Sequence, residues 1–335
     1  MHRGRATHRT RRGTPGMWSR AAAFALALAP VSAAAGPAEV DPAVPAYQPT
    51  AGIAGNLSAV GSDTLNNLMT LWAEGFRRAH PSVRIQVEGK GSSTAPPALI
   101  AGTAQIGPMS RRMKASEVDA FEKAFGYKPM EIRVAVDALA VYVHRDNPRE
   151  RLTLPEVDAI FSRTRRCGHP KPIDRWSELG VRTLGDQPIS LYGRNSASGT
   201  YGYFKKVALC GGDFRDEVKE QPGSASVVQG IAQDPAGIGY SGIGYRTSGV
   251  KPLALARRAG EPYGTVDPEE VYAGRYPLAR FLYVYVNRPP GRPMDPLVAA
   301  FLRFVLSRDG QEVVVKDGYL PLSARVVEQE LAKLR

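Results

Sequence analysis

Residues 189–209 read ISLYGRNSASGTYGYFKKVAL, and this stretch decides the fold. Residues 189–192 have the character of a short strand, and residues 199–209 have the spacing of a helix. Between them lies Arg194-Asn195-Ser196-Ala197-Ser198-Gly199-Thr200, a Ser/Thr/Gly-rich turn that opens the helix. A helix start carries backbone N–H groups with no partner and the positive end of the helix dipole. Glycine lets the backbone approach a ligand closely, and hydroxyls donate hydrogen bonds without adding full charge. Arg194 adds a guanidinium, which grips two oxygens of a tetrahedral anion at once. The combination suits a desolvated oxyanion.

The same arrangement recurs nearer the N-terminus. Gly61-Ser62-Asp63-Thr64 follows a short strand at 57–60 and precedes a helix whose Leu65, Leu68, Met69, Trp72 and Phe76 share one face. Gly91-Ser92-Ser93-Thr94 follows a strand in which Val83, Ile85 and Val87 alternate. Each segment alone is what any capped helix looks like. Three of them at matching strand-to-helix positions exceed what capping explains. In open α/β sheets the ligand sits beyond the carboxyl ends of the strands, where such loops converge. Ser110-Arg111-Arg112 ends a further strand at 104–109 and offers another hydroxyl and a cation.

Strand and helix signals alternate along the rest of the chain, which predicts an α/β fold with mostly parallel sheets flanked by helices. Residues 116–125 form an amphipathic helix. Residues 132–143 form a long strand, apolar on both faces, as a central parallel strand would be. Thr153 and Glu156 make a capping box that opens a second unit. That unit closes on the Gly-rich strand Gly237-Ile238-Gly239-Tyr240. A strand at 281–286 and helices near 297–306 and 311–316 end the chain, and no fixed-period repeat is present.

A chain of 335 residues has room for about two domains. Its net charge of +12 invites a nucleic-acid partner, but the distribution argues against one. Six arginines and no acid lie in the first 35 residues, leaving 38 Lys+Arg against 32 Asp+Glu in the remainder. Aromatic and basic residues are not interleaved there, so no nucleic acid is expected. Residues 1–35 have a basic start, an apolar stretch at 21–31 and small residues at 32–35, the pattern of a signal peptide. No cysteine follows the apolar stretch, so the expected location is periplasmic or secreted without a lipid anchor. Residues 36–54, rich in Pro and Gly, read as a flexible linker. Cys167 and Cys210 are the only cysteines, and an oxidising compartment favours joining them. Closing a loop of that length adds roughly 3–4 kcal/mol.

These residues carry a resemblance to a known family. Gly61-Ser62-Asp63-Thr64-Leu65, Gly91-Ser92-Ser93, Ile106-Gly107-Pro108-Met109-Ser110-Arg111, Arg194-x-x-x-Ser198-Gly199-Thr200 and Gly237-Ile238-Gly239-Tyr240 resemble the PstS family. That family comprises the periplasmic phosphate-binding proteins of phosphate ABC transporters. The resemblance covers about residues 55–322 and implies a two-lobed type II periplasmic-binding-protein fold. Lobe 1 is expected at 55–138 and 252–330, and lobe 2 at 139–251. Carried over, the match implies that Ser62, Thr64 and the Leu65 amide bind phosphate from lobe 1, with Ser92 or Ser93 beside them. Arg194, Ser198, Gly199 and Thr200 grip from lobe 2. The family pattern often places an Asp directly after the serine matching Ser110, where it accepts the proton of hydrogen phosphate and so rejects sulfate. Here that position is Arg111. One of two acids is expected to take over the role: Asp63, in the first anion loop, or Asp137, a carboxylate in an apolar strand that must be paired or functional.

The resemblance also implies the partners: inorganic phosphate and a membrane permease, with a monomeric protein and no cofactor. The competing reading is a secreted phosphatase on the same fold. Phosphate-ester hydrolysis usually wants a metal cluster or an activated nucleophile with its base. His80, His144 and His169 have no metal-ligand spacing, and no nucleophile elbow or phosphate-binding lysine loop is present. The sequence therefore favours a binder over an enzyme, with no metal site.

Overall fold

The computed structural model describes residues 38–335. The expected signal peptide lies outside the described residues. The chain first builds β1 (Gly55–Val60), α1 (Asn66–Ala79) and β2 (Val83–Glu88), with the two strands parallel. The predicted face of α1 is the buried one: Leu68, Met69, Trp72 and Phe76 are fully enclosed, as the helical period of apolar residues requires. His80 caps this helix through its backbone N–H, which donates to Phe76 O. Next come α2 (Ala95–Ile100), β3 (Gly107–Met109), α3 (Ala115–Phe125) and β4 (Met130–Ala138).

After Leu139 the chain enters a second core. It comprises β5 (Ala140–His144), β6 (Arg151–Thr153), α4 (Leu154–Phe161), β7 (Ser190–Arg194), α5 (Gly199–Val207), β8 (Lys219–Gln221), α6 (Ser224–Ala232) and β9 (Gly237–Ser241). The expected capping box is present at α4. Glu156 N donates to Thr153 Oγ1 at 3.3 Å, and the Glu156 carboxylate accepts from Thr153 N at 2.7 Å. β10 (Val250–Pro252), β11 (Ala254–Ala256) and α7 (Pro268–Tyr272) follow. β12 (Ala279–Val286) then returns to the first core, which α8 (Pro296–Val305), α9 (Arg308–Lys316) and α10 (Ala324–Ala332) complete. Cys167 and Cys210 form a disulfide that ties the segment after α4 to the end of α5.

The two larger sheets run β3-β12-β4 and β10-β5-β9-β7-β8. Parallel pairing holds in β1–β2, β7–β8, β7–β9 and β6–β11. The segment expected to be one central parallel strand is instead β4 and β5, which belong to different sheets and pair antiparallel with β12 and β9. The cause is topological. β4 takes the chain out of the first core and β12 brings it back, so these neighbours run in opposite directions.

The packing supports an outward crossing near 138–139 and a return later than residue 252. Leu253, Leu255, Val271, Tyr276 and Leu278 all pack in the second core, with Val141, Phe161, Trp176 and Ile238. On the returning strand, Phe281 packs against the other core, and Leu282 and Val284 are buried in it with Leu68, Trp72 and Phe301. The pairing of β10 with β5 and of β11 with β6 holds that segment in place. We therefore propose lobe 1 as 55–138 plus 279–330, and lobe 2 as 139–278.

The described part of the expected linker is a packed strap. Val44 is fully buried in the first core. Asp41 accepts the Ala324 N–H at 3.0 Å, Tyr47 N donates to Asp309 at 2.8 Å, and Arg308 N donates to Pro45 O at 2.8 Å. Beyond a local turn in which Val44 N donates to Asp41 O at 2.9 Å, this proline-containing segment takes its partners from α9 and α10. Packing of this kind has a measurable cost when removed. Val44→Ala deletes two buried methyl groups and is expected to destabilise the protein by about 2 kcal/mol. Urea unfolding checks this; an unchanged midpoint would return the strap to the status of a linker.

Candidate functional site

The loops at the carboxyl ends of β1, β2, β3 and β7 meet at one place. Thr64 Oγ1 and Thr200 Oγ1, from opposite lobes, are 2.8 Å apart. Ser110 Oγ lies 3.5 Å from the same Thr200 oxygen and 3.3 Å from Ser92 Oγ, and Ser110 N donates to Ser92 Oγ at 3.0 Å. Ser62, Thr64, Ser92, Ser110, Ser198 and Thr200 are all buried. Ser198 caps α5, accepting from Thr200 N and Tyr201 N. Ser93 N donates to Ala197 O at 3.1 Å, a backbone bond between the loops. Gly199 is required by this closeness. A Cβ there would stand 2.2 Å from Ser92 Oγ and 2.6 Å from Ser110 Oγ.

Two buried guanidiniums adjoin the hydroxyls. Arg194 lies 3.1 Å from Asp63 Oδ2 and donates to Ser224 Oγ at 2.7 Å and Pro222 O at 3.1 Å. Asp63 Oδ2 also accepts the Ser224 N–H at 2.8 Å, so this acid links the lobes. Burial pushes the Arg194 guanidinium below its ordinary pKa, and the neighbouring Asp63 opposes that fall. The second guanidinium is Arg280. Its Nε and Nη2 donate to Asp137 Oδ2 at 2.9 and 2.7 Å, and Nη2 also donates to Thr200 Oγ1 at 2.9 Å. Asp137, fully buried, accepts the Ile243 N–H on its other oxygen at 3.0 Å.

The structure thus gathers most residues that the sequence singled out, with three differences. Arg111 turns away from the hydroxyl cluster: both terminal nitrogens pair with Glu117 at 2.7 Å, and one reaches Ser93 Oγ at 3.2 Å. Ser92 accordingly joins the cluster while Ser93 faces Arg111. The Leu65 amide, expected to face phosphate, donates to Ser62 O at 3.2 Å. Arg280 was missed. The signal for it was present, because it is the lone charge among the apolar residues of β12 and stands directly across the ladder from Asp137. The argument that a charge in an apolar strand needs a partner, applied to Asp137, applies equally to Arg280.

Among the described residues no cluster of His, Cys, Asp and Glu has the geometry of a metal site. The histidines have local partners: His80 bonds Tyr47 Oη at 2.7 Å, His144 accepts from Asp146 N at 3.2 Å, and His169 contacts Lys171 O at 2.6 Å. The hydroxyl cluster is contacted by other hydroxyls, by backbone amides and by Arg280. What it can do chemically is surround an oxyanion with donors.

A two-lobed α/β fold with pooled strand-end donors is the architecture of a solute-binding protein. The chain belongs to the PBP superfamily, whose domain model matches residues 46–309, and within it to the PstS phosphate-binding proteins. It is 57% identical over 316 residues to the phosphate-binding protein PstS of Pseudomonas aeruginosa, covering 93% of this chain and 97% of that one. A substrate-binding protein assigned to a phosphate ABC transporter of Clostridium perfringens, solved with bound phosphate, is 25% identical with a TM-score of 0.67. That match covers 80% of this chain and 100% of the other. The ABC-type phosphate transport receptor of Vibrio cholerae, at 22% identity and a TM-score of 0.60, covers 79% of this chain and 100% of its own length, and bears on the fold alone. The resemblance read from the loop motifs, and with it the two-lobed fold class, is therefore established.

Behind the first anion loop lies a supporting layer. Tyr245 Oη donates to Asp63 O at 2.9 Å and Tyr319 Oη to Thr64 O at 2.8 Å, while the Asn67 side-chain amide donates to Asp317. Burial pushes the Asp317 carboxyl from 3.8 up to about 6, against the opposing effect of the Asn67 hydrogen bond. A raised carboxyl pKa means the native state holds this proton more tightly than the unfolded chain. Its ionised form therefore costs stability in full above about pH 6, and the cost fades as pH falls towards 3.8. Asp317→Asn keeps an acceptor for Asn67 and removes the charge. Its melting temperature should exceed that of the wild type above about pH 6, with the gap shrinking towards pH 4. A gap that does not change with pH would exclude buried charge as its cause.

Proposed function

We propose that this chain captures inorganic phosphate between its lobes and delivers it to the membrane permease of an ABC transporter. The observation that carries this reading is the contact between Thr64 and Thr200 across the lobes, beside Ser92, Ser110 and two buried guanidiniums. The named relatives, phosphate-binding proteins by their own designations, support the same ligand. Phosphate enters when the lobes part about the crossings at 138–139 and 278–279. Its oxygens then take the donors that otherwise bond one another. Closure removes water, and the low dielectric strengthens each hydrogen bond to the anion. Capture and release need no bond making, no metal and no cofactor.

Phosphate differs from sulfate in having a proton to donate at neutral pH, so selectivity needs an acceptor. Of the two acids considered, Asp63 is better placed for this role. Its Oδ1 has no hydrogen-bond partner among the described residues, whereas both oxygens of Asp137 are occupied. The basic leader and the disulfide support export to the periplasm or beyond, with cleavage near residue 35, and a monomer suffices for the task. The purified protein is expected to leave an aryl phosphate intact, and hydrolysis would overturn the binder reading.

Calorimetric titration of the chain lacking residues 1–35 tests the main reading. Phosphate should bind one-to-one, and Thr64→Val and Thr200→Val should each weaken it by about 10- to 100-fold, the scale of a hydrogen bond to a charged group. Asp63→Asn should narrow the preference for phosphate over sulfate. No heat with phosphate, or full affinity in both valine variants, would refute the assignment.

A further inference from the structure

We propose that Arg280 is a direct ligand of the anion, supplied by the strand that crosses back between the lobes and aimed by Asp137. The inference rests on the phosphate-capture reading and adds a second guanidinium to the one in the Arg194 loop. A guanidinium presents five N–H groups in a rigid planar fork. In Arg280, one edge of the fork, Nε with Nη2, is fixed on a single oxygen of Asp137. That grip sets the plane of the group and turns its other edge, Nη1 with the outer N–H of Nη2, away from the acid. Nη2 on this second edge donates to Thr200 Oγ1, the hydroxyl that meets Thr64 from the opposite lobe. Nη1 is buried and has no hydrogen-bond partner among the described residues.

An unpaired cationic donor sealed away from water is costly, and the side chain of Arg280 is only 3% exposed. Tyr203 covers the guanidinium, with its ring centroid 5.2 Å from Cζ, so the group cannot turn outward without losing that cover. The edge therefore points where a tetrahedral oxyanion would bring two oxygens, the geometry that fork recognition uses. Arg111 cannot supply this charge, because Glu117 occupies its own fork. The charge comes instead from β12, a strand that belongs to the hinge and not to any of the strand-end loops.

The opposing account is that Arg280 only neutralises Asp137. Calorimetry with inorganic phosphate on the chain lacking residues 1–35 separates the two. Arg280→Gln should weaken binding about 30-fold, the scale expected for a charge-assisted hydrogen bond. The double variant Asp137→Asn/Arg280→Gln, which restores a neutral buried pair, should remain at least about tenfold weaker than wild type. Recovery of the double variant to within about threefold of wild type would reduce Arg280 to a counter-ion and overturn the proposal. Arg280→Lys, which keeps the charge and loses the fork, guards against a folding defect in the glutamine variant and should fall between it and wild type. If wild type itself takes up no phosphate, the capture reading fails first and this one with it. If only Arg280→Gln and the double variant keep wild-type affinity, the capture reading stands and this one falls.

Discussion

The interaction on which the rest depends is the ion pair between Asp137 and Arg280, buried between β4 and β12. Those two strands are the places where the chain leaves one core and re-enters it. A charged pair there is tolerated only because each partner satisfies the other and both find further hydrogen bonds, to Ile243 N and to Thr200 Oγ1. Its register, one residue directly across from the other, fixes how β4 and β12 slide against each other. The β1, β2 and β3 loops on one side and the β7 loop on the other are then held at a set distance. The hydroxyl cluster follows from that distance.

Electrostatics at the site are arranged as two linked pairs. Arg194 with Asp63 and Arg280 with Asp137 each place one cation against one acid. The acids hold the cations in position and reduce the cost of burying them, so the guanidiniums are oriented before any anion arrives. Neutral hydroxyls complete the shell without adding repulsion between donors. Such a site can strip water from an oxyanion because its own dipoles are already in place.

Much of this was legible in the residues. Capped helices announced themselves through Thr153 with Glu156 and through Ser198, and the helical period of α1 named its buried face correctly. The strand-end loops pointed to each other because they share composition and position. The remainder depended on long-range pairing, which local patterns do not contain. Residues 38–54 looked like a linker since an extended segment borrows its hydrogen bonds from helices far along the chain. The return crossing is hard to read locally because β10 and β11 are short, and their pairing with β5 and β6 carries the information on which core they join. Adjacency to Ser110 says nothing of where the Arg111 guanidinium turns, and a glutamate six residues on pairs with it.

Gly199, wedged between Ser92 and Ser110, gives the seam its final property. Where even one methyl group finds no room, the two halves meet flush, and any side chain at that position would hold them ajar.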